Sequence, residues 1–255
     1  MSANLMSLAR SGGKFLKLFG DRKMMIKTIP TARDYVQDGL IAMWDGIENA
    51  GYGVHYHNAT VWEDCVNGEL MTKILGDGGT VSFGNMSVDV SLGYLIPQNK
   101  IQIINAINTG RCTVECVCKS TNFGKTDSRQ SIANFNSSYN RKLCIYTPGN
   151  RKVNWAFFWG QDNYLGIEKS RTEKGLFSIV CQYGSIGLFY NSQHVGTLLE
   201  TVGGAEECFF GKSIEGIETS TSMSWNSIRI YNRAITSDEI AANYAVDKAR
   251  FNLPD

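Results

Sequence analysis

The chain has 255 residues, with 25 Lys and Arg against 24 Asp and Glu, a net charge of +1. That balance excludes nucleic-acid binding driven by bulk positive charge. The length is enough to bury about three quarters of the unfolded surface without a disulfide or metal, as one large domain or two small ones. Charged residues at 19%, 26 glycines and only 4 prolines are a composition that suits many strands joined by glycine turns.

The chain divides near residue 30. Residues 3–27 carry six basic side chains, Arg10, Lys14, Lys17, Arg22, Lys23 and Lys27, against the single acid Asp21. This segment therefore holds +5 and the remainder −4. Leu5, Leu8, Phe15, Leu16, Leu18 and Phe19 form short apolar helical faces on either side of Ser11-Gly12-Gly13. Residues 1–30 read as a basic amphipathic anchoring arm, with Arg10, Lys14, Phe15, Lys17, Leu18 and Phe19 as its partner-binding residues. A protein partner, a membrane surface, nucleic acid and a solvated tail are the alternatives for such an arm. No apolar run reaches the roughly 18 residues of a membrane span, and residues 1–9 are too short and polar for a signal-peptide core. The chain is expected to be soluble and not exported by the general secretory route.

Residues 31–255 change to short apolar or alternating runs separated by Gly, Asn, Asp and Ser. Strands are predicted over 40–44, 80–83, 112–118, 131–134, 142–146, 155–158, 175–182, 186–190, 194–199, 208–211 and 224–231, which is an all-β pattern. No 40-residue repeat appears, so a sandwich is favoured over a propeller. One strong helix follows: Thr236 to Glu239 is a capping box, Ile240, Ala241, Tyr244, Ala245 and Lys248 share a face, and Arg250 suits the C-terminal end of the dipole. Seven cysteines, an odd number lying mostly in apolar runs, read as buried reduced thiols. Cys116 and Cys118 share a strand face, with metal binding as the alternative.

These segments resemble concanavalin A-like, laminin-G-like lectin/glucanase domains. DGLIAMWDG (38–46) and ATVWEDCVNG (59–68) are similar to the opening strand and Trp-Asp turn of that family, and TVECVCK (113–119) to a later strand. LFSIVCQYGSIGLFYNSQHVGTL (176–198) resembles its paired strands, although Tyr190-Asn191-Ser192 lacks the glycine of the family's turn. SIRIYNRAITSDEIAANY (227–244) is similar to its terminal strand and helix. The opening segment also resembles proteins of gut bacteria and of the phages that infect them. The resemblance implies a jelly-roll sandwich of two antiparallel sheets with a short C-terminal helix. It further implies a phage virion structural, decoration or host-attachment protein that displays a lectin-like sandwich, bound to capsid or tail proteins through its arm. A bacterial surface lectin and a glycoside hydrolase are the alternatives, and a homo-oligomer fits any of them.

Glucanases of this superfamily carry Glu-x-Asp-x-x-Glu on one strand, because two carboxylates must flank one glycosidic bond. That pattern is missing: Glu63 and Asp64 are adjacent, as are Glu206 and Glu207, and Glu69, Asp77 and Asp89 stand alone. A non-enzymatic chain is therefore expected. The resemblance also raises calcium, held at the rim by Asp77 or Asp89. His55 and His57 project to one side of an extended segment. They read either as a polar loop beside Trp44 and Trp62 or as a metal pair joined by Asp45, Asp64 or Cys65. Glycan binding needs a flat aromatic surface with amide and carboxylate partners, and residues 154–164 have that composition. Trp155, Phe157 and Trp159 share a face that is open to a core reading. Trp159, Gln161, Asp162, Asn163 and Tyr164, at or past the strand end, are the candidate glycan site.

Overall fold

The computed structural model describes residues 29–121, 130–135, 144–147, 155–159, 163–167, 172–200, 202–212 and 221–255. The anchoring arm predicted over 1–30 lies outside them except for Ile29 and Pro30. The strands are β1 (Leu40–Asp45), β2 (Trp62–Glu63), β3 (Leu70–Phe83), β4 (Val88–Pro97), β5 (Arg111–Ser120), β6 (Gln130–Asn134), β7 (Cys144–Thr147), β8 (Trp155–Trp159), β9 (Asn163–Ile167), β10 (Gly175–Gln182), β11 (Ser185–Tyr190), β12 (Gln193–Leu198), β13 (Phe209–Phe210) and β14 (Thr221–Tyr231). Two helices join them, α1 (Lys100–Asn108) and α2 (Ser237–Phe251).

All strand pairings are antiparallel. One layer runs β12-β11-β10-β5-β14 with β1 on the far side of β14. The other runs β3-β4-β13-β6-β7-β8-β9. Hydrogen bonding is continuous between them because β14 pairs β4 along its first half and β1 along its second. The slip of register between Trp225 and Ser227 lets one strand serve both. At the opposite edge, a Cβ on Gly196 of β12 would lie 2.9 Å from the Leu165 side chain of β9. The expected jelly-roll sandwich with a C-terminal helix is the observed fold.

Strict alternation on the strands builds the core. Cys112, Val114, Cys116 and Cys118 of β5 face Phe177, Ile179 and Cys181 of β10 and Ile228 and Ile230 of β14 within one buried cluster. That cluster also contains Val90, Ile132 and Phe210 of the second layer. Each buried large side chain stabilises by about 1.5–3 kcal/mol. Cys65, Cys112, Cys116, Cys118, Cys181 and Cys208 are free and buried, and burial pushes the Cys65 and Cys116 thiols upward, as expected of packing residues. Among the described residues no three His, Cys, Asp or Glu side chains gather as a metal site. No described helix is long and apolar enough to cross a membrane.

The missing glycine at 190–192 has a structural answer. Asn191 and Ser192 form the two-residue β11–β12 turn with φ of 48° and 64°, left-handed values that Asn tolerates. The Asn191 carboxamide oxygen also accepts the Leu176 N–H at 2.9 Å, tying the turn to β10.

The C-terminal helix departs from a simple cap on the end of the sheets. It crosses the outer face of the first layer, where Asn243 reaches Glu115 of β5, Asp247 reaches Arg229 of β14, and Arg250 reaches Asp45 of β1. Its capping box is present: Glu239 N donates to Thr236 Oγ1, and Thr236 N donates to Glu239 Oε2. Arg233 donates to both Glu239 oxygens, at 2.9 and 2.6 Å. The Arg233 hydrogen bonds lead the causes that hold the Glu239 carboxyl down at about 2. A depressed carboxylate lends stability that is present above its unfolded value and lost as pH falls towards the folded one. Acid unfolding of Glu239→Gln is therefore expected to show a shallower loss of stability than the wild type between about pH 4.5 and 2, followed by circular dichroism.

Candidate functional site

The segment between β1 and β2, residues 46–61, is built on buried polar residues. Asp45 Oδ1 accepts the N–H groups of Ile47 and Glu48, both at 2.9 Å, and so turns the chain out of β1. The buried Glu48 carboxylate accepts Gly53 N at 2.6 Å, Ala32 N at 2.7 Å and Arg250 Nη1 at 3.1 Å. Asn49, fully buried, grips the backbone of Tyr56 at both ends: its Oδ1 accepts Tyr56 N at 2.9 Å and its Nδ2 donates to Tyr56 O at 3.0 Å. Glu63 N closes the loop on Asn49 O at 3.1 Å, and Trp62 Nε1 donates to Asp45 O at 2.9 Å.

This rigid mount presents a cleft of about 480 Å³. It is lined by Ala50 and by the run His55 to Val61 together with Glu63. The Tyr56 ring is 61% exposed while its backbone is clamped, so a flat aromatic surface is offered with little left to immobilise on binding. His57 packs edge-to-face on His55 with ring centroids 4.7 Å apart. His55 Nδ1 lies 2.7 Å from Ile47 O, and its Nε2 is buried with no hydrogen-bonding partner among the described residues. A carbonyl only accepts, so Nδ1 carries the hydrogen and Nε2 of the neutral ring is left as an acceptor. Asn58 and Thr60 add amide and hydroxyl groups, and Glu63 is the one carboxylate of the lining among the described residues.

The sequence pairing of His55 with His57 is realised, but the partners considered for a metal are elsewhere. Asp45 is taken by Arg250 at 2.7 Å as well as by its own turn. Asp64 accepts the N–H groups of Met43, Val66 and Asn67. Cys65 is buried, its thiol turned to Glu48 O. Sequence reasoning missed Asn58, Thr60 and Glu63 as companions of the pair. Their composition was the available signal, since the run 55–63 holds imidazole, phenol, amide, hydroxyl and carboxylate within nine residues. Of the predicted glycan site, Trp159 and Asn163 are register partners where β8 meets β9, and Tyr164 follows opposite Phe158. Gln161 and Asp162 lie outside the described residues, as do the side chains of Trp159, Asn163 and Tyr164. Arg10, Lys14, Phe15, Lys17, Leu18 and Phe19 lie outside them too.

No family model matches the chain, and no curated protein matches it. Solved structures do match in fold. Trypanosoma rangeli sialidase superposes with a TM-score of 0.59 at 14% identity, over 86% of this chain and 33% of that one. A structure of botulinum neurotoxin type C, whose cell entry depends on interaction with two ganglioside molecules, gives 0.57 at 9% identity over 83% and 51%. Domain 4 of AbnA, a GH43 extracellular arabinanase from Geobacillus stearothermophilus, in complex with arabinotriose, gives 0.56 at 10% identity over 80% and 98%. The chain spans about a third of the length of the sialidase. At these identities the likeness is one of fold: the chain is a β-sandwich, as are the matching parts of these structures.

The expectation of a non-enzymatic chain is overturned by the same neighbours. Sialidases and an arabinanase carry this sandwich, so the lack of one single-strand carboxylate pattern does not set the chain apart from enzymes. That pattern describes one way of placing two acids, whereas a folded chain also brings acids together from different strands.

Proposed function

We propose that the protein binds carbohydrate through the cleft formed by residues 50–63. The observation that carries this reading is the Tyr56 ring, exposed on a backbone that Asn49 holds at both ends and surrounded by His57, Asn58, Thr60 and Glu63. An aromatic face for the apolar side of a sugar ring, with amide, hydroxyl and carboxylate groups for its hydroxyls, is the chemistry such ligands require. Support comes from the sandwich neighbours: the sialidase in complex with sialic acid, the neurotoxin that interacts with two ganglioside molecules, and the AbnA domain in complex with arabinotriose. Trp159, Gln161, Asp162, Asn163 and Tyr164 are the second candidate site on the same molecule. Tyr56→Ala is expected to weaken glycan binding tenfold or more by isothermal titration, with Trp159→Ala close to wild type. The reverse order moves the site to residues 159–164, and loss in neither variant removes both sites.

The arm supports a second, compatible proposal: residues 1–30 tether the sandwich to a larger assembly, a phage particle being the one to which the resemblance of the opening segment points. The separation of +5 in residues 3–27 from −4 in the remainder supports it. The point where the arm leaves the domain is fixed, since Pro30 O accepts Arg250 Nη1 at 2.8 Å and Ala32 N donates to Glu48. Removing residues 1–28 keeps both contacts. The shortened chain is expected to stay folded and to stop co-sedimenting with purified particles, whereas unchanged co-sedimentation would rule the tether out.

A further inference from the structure

If the cleft at residues 50–63 is a sugar site, its charge also states which sugars it takes. Among the described residues of its lining only Glu63 is an acid or a base of fixed charge, and that charge is negative. His55 adds an acceptor, because Nδ1–H is committed to Ile47 O and the unpartnered Nε2 of the neutral ring has only a lone pair to offer. The nearby cation Lys73 stands outside the lining and is turned to the backbone, its Nζ 3.5 Å from Thr60 O. A ligand carboxylate entering here would meet one like charge and one acceptor, and it would leave bulk water without an arginine fork to replace its hydration. A hydroxyl has the opposite fit, since it donates to Nε2 or to Glu63 and accepts from the Asn58 amide.

We propose that this cleft selects neutral sugars, with His55 Nε2 and Glu63 accepting sugar hydroxyls beside the Tyr56 ring, and rejects sugars that carry a carboxylate. The inference rests on the glycan-binding reading of the same cleft and divides the neighbours' ligands. Arabinotriose is the kind of ligand the cleft fits, and sialic acid is the kind it excludes. His55 Nε2 is buried, so a sugar hydroxyl reaches it only when the lining around it shifts. His55→Phe is therefore expected to lower affinity.

The test is an array of matched oligosaccharide pairs that differ only by a terminal sialic acid, together with neutral arabino-oligosaccharides, read at pH 8. Wild type, His55→Phe, Tyr56→Ala, Glu63→Arg and Lys73→Ala are compared. The expected result is binding of neutral members, at least tenfold weaker when sialic acid is added and at least tenfold weaker in His55→Phe and Tyr56→Ala. Glu63→Arg should narrow the gap between the members of a pair. If His55→Phe fails to reach the wild-type unfolding temperature, the Glu63→Arg comparison alone decides. Preferential binding of the sialylated members, lost in Tyr56→Ala and Lys73→Ala, overturns the neutral-sugar inference and leaves the cleft as a glycan site. Binding that ignores the Tyr56 and His55 substitutions, or no binding at all, overturns the glycan reading of the cleft itself.

Discussion

Arg229→Ala is expected to lower the unfolding temperature by about 10 °C. Arg229 is fully buried between the first layer and α2, where Nε donates to Glu115 at 2.9 Å and the two terminal nitrogens donate to Asp247 at 2.7 and 2.6 Å. Its guanidinium lies 4.1 Å from the Tyr35 ring, whose hydroxyl donates to Asp247 at 2.8 Å. Burial works against the guanidinium's charge, but Asp247 and Glu115 outweigh it and hold Arg229 protonated. Removing one partner of such a pair leaves the others charged and dry, at a cost of about 3–5 kcal/mol. In a chain of this size each kcal/mol moves the midpoint by about 2–4 °C. The deficit should shrink on acidification. Burial already pushes the Glu115 carboxyl up against the pull of Arg229; without the guanidinium Glu115 takes up a proton in the folded state more readily than in the unfolded one, and stability then rises as pH falls. Adding Glu115→Gln and Asp247→Asn to Arg229→Met is expected to recover much of the loss at pH 7, because a shape-filling neutral cluster no longer holds unpaired charge. If Arg229→Ala melts within 2 °C of the wild type, the cluster does not hold α2 in place.

How much of this was legible in the sequence differs by kind of contact. The helix α2 is announced locally by Thr236 and Glu239 three residues apart, and β10 by an apolar run with a glycine at its start, so both were found to within a residue. Alternation placed Ile228 and Ile230 inside and Arg229 outside. The outside of β14 is itself covered, by a helix whose Asp247 lies 18 residues on, and alternation carries no information about a third layer. The strand β4 escaped because Leu92, at a φ of 50°, interrupts its period of two, so its buried positions read Val88, Val90 and then Gly93. The helix α1 escaped for want of a start signal: Asn99 makes no side-chain capping bond, and Ile101, Ile103 and Ile104 look like strand residues. The cleft was half legible. The His-x-His pair stood out, but what makes Tyr56 a presented ring is a buried asparagine seven residues earlier bonding to backbone, a contact with no periodicity to detect.

Gly46→Ala is expected to cost about 3 kcal/mol, more than its single methyl group suggests. Gly46 ends β1 where three segments meet. Its N–H donates to Asn226 O at 2.8 Å, and Asn226 Nδ2 donates to Met86 O at 2.7 Å. A Cβ on Gly46 would lie 2.5 Å from that same Met86 oxygen and 2.9 Å from the Ser87 Cα. Both obstacles are backbone, so no rotamer change relieves the contact. Either β1 withdraws from β14 or the 84–87 turn, closed by Gly84 N to Ser87 O at 2.8 Å, is displaced. The consequence extends to the cleft, because Asp45 O and Ile47 O on either side of Gly46 hold Trp62 Nε1 and His55 Nδ1. Gly46→Ala should therefore lower the denaturation midpoint and, if the proposed glycan site is correct, the affinity of the cleft for oligosaccharide. Gly203→Ala, where no atom lies within 4 Å of the new methyl and φ is not left-handed, is the matched control. It is expected to leave affinity unchanged and to alter stability by less than about 1 kcal/mol. A loss of affinity in Gly46→Ala that exceeds what its unfolded fraction explains would place the β1 terminus among the elements that position His55. A loss of stability with native affinity would confine Gly46 to the sandwich.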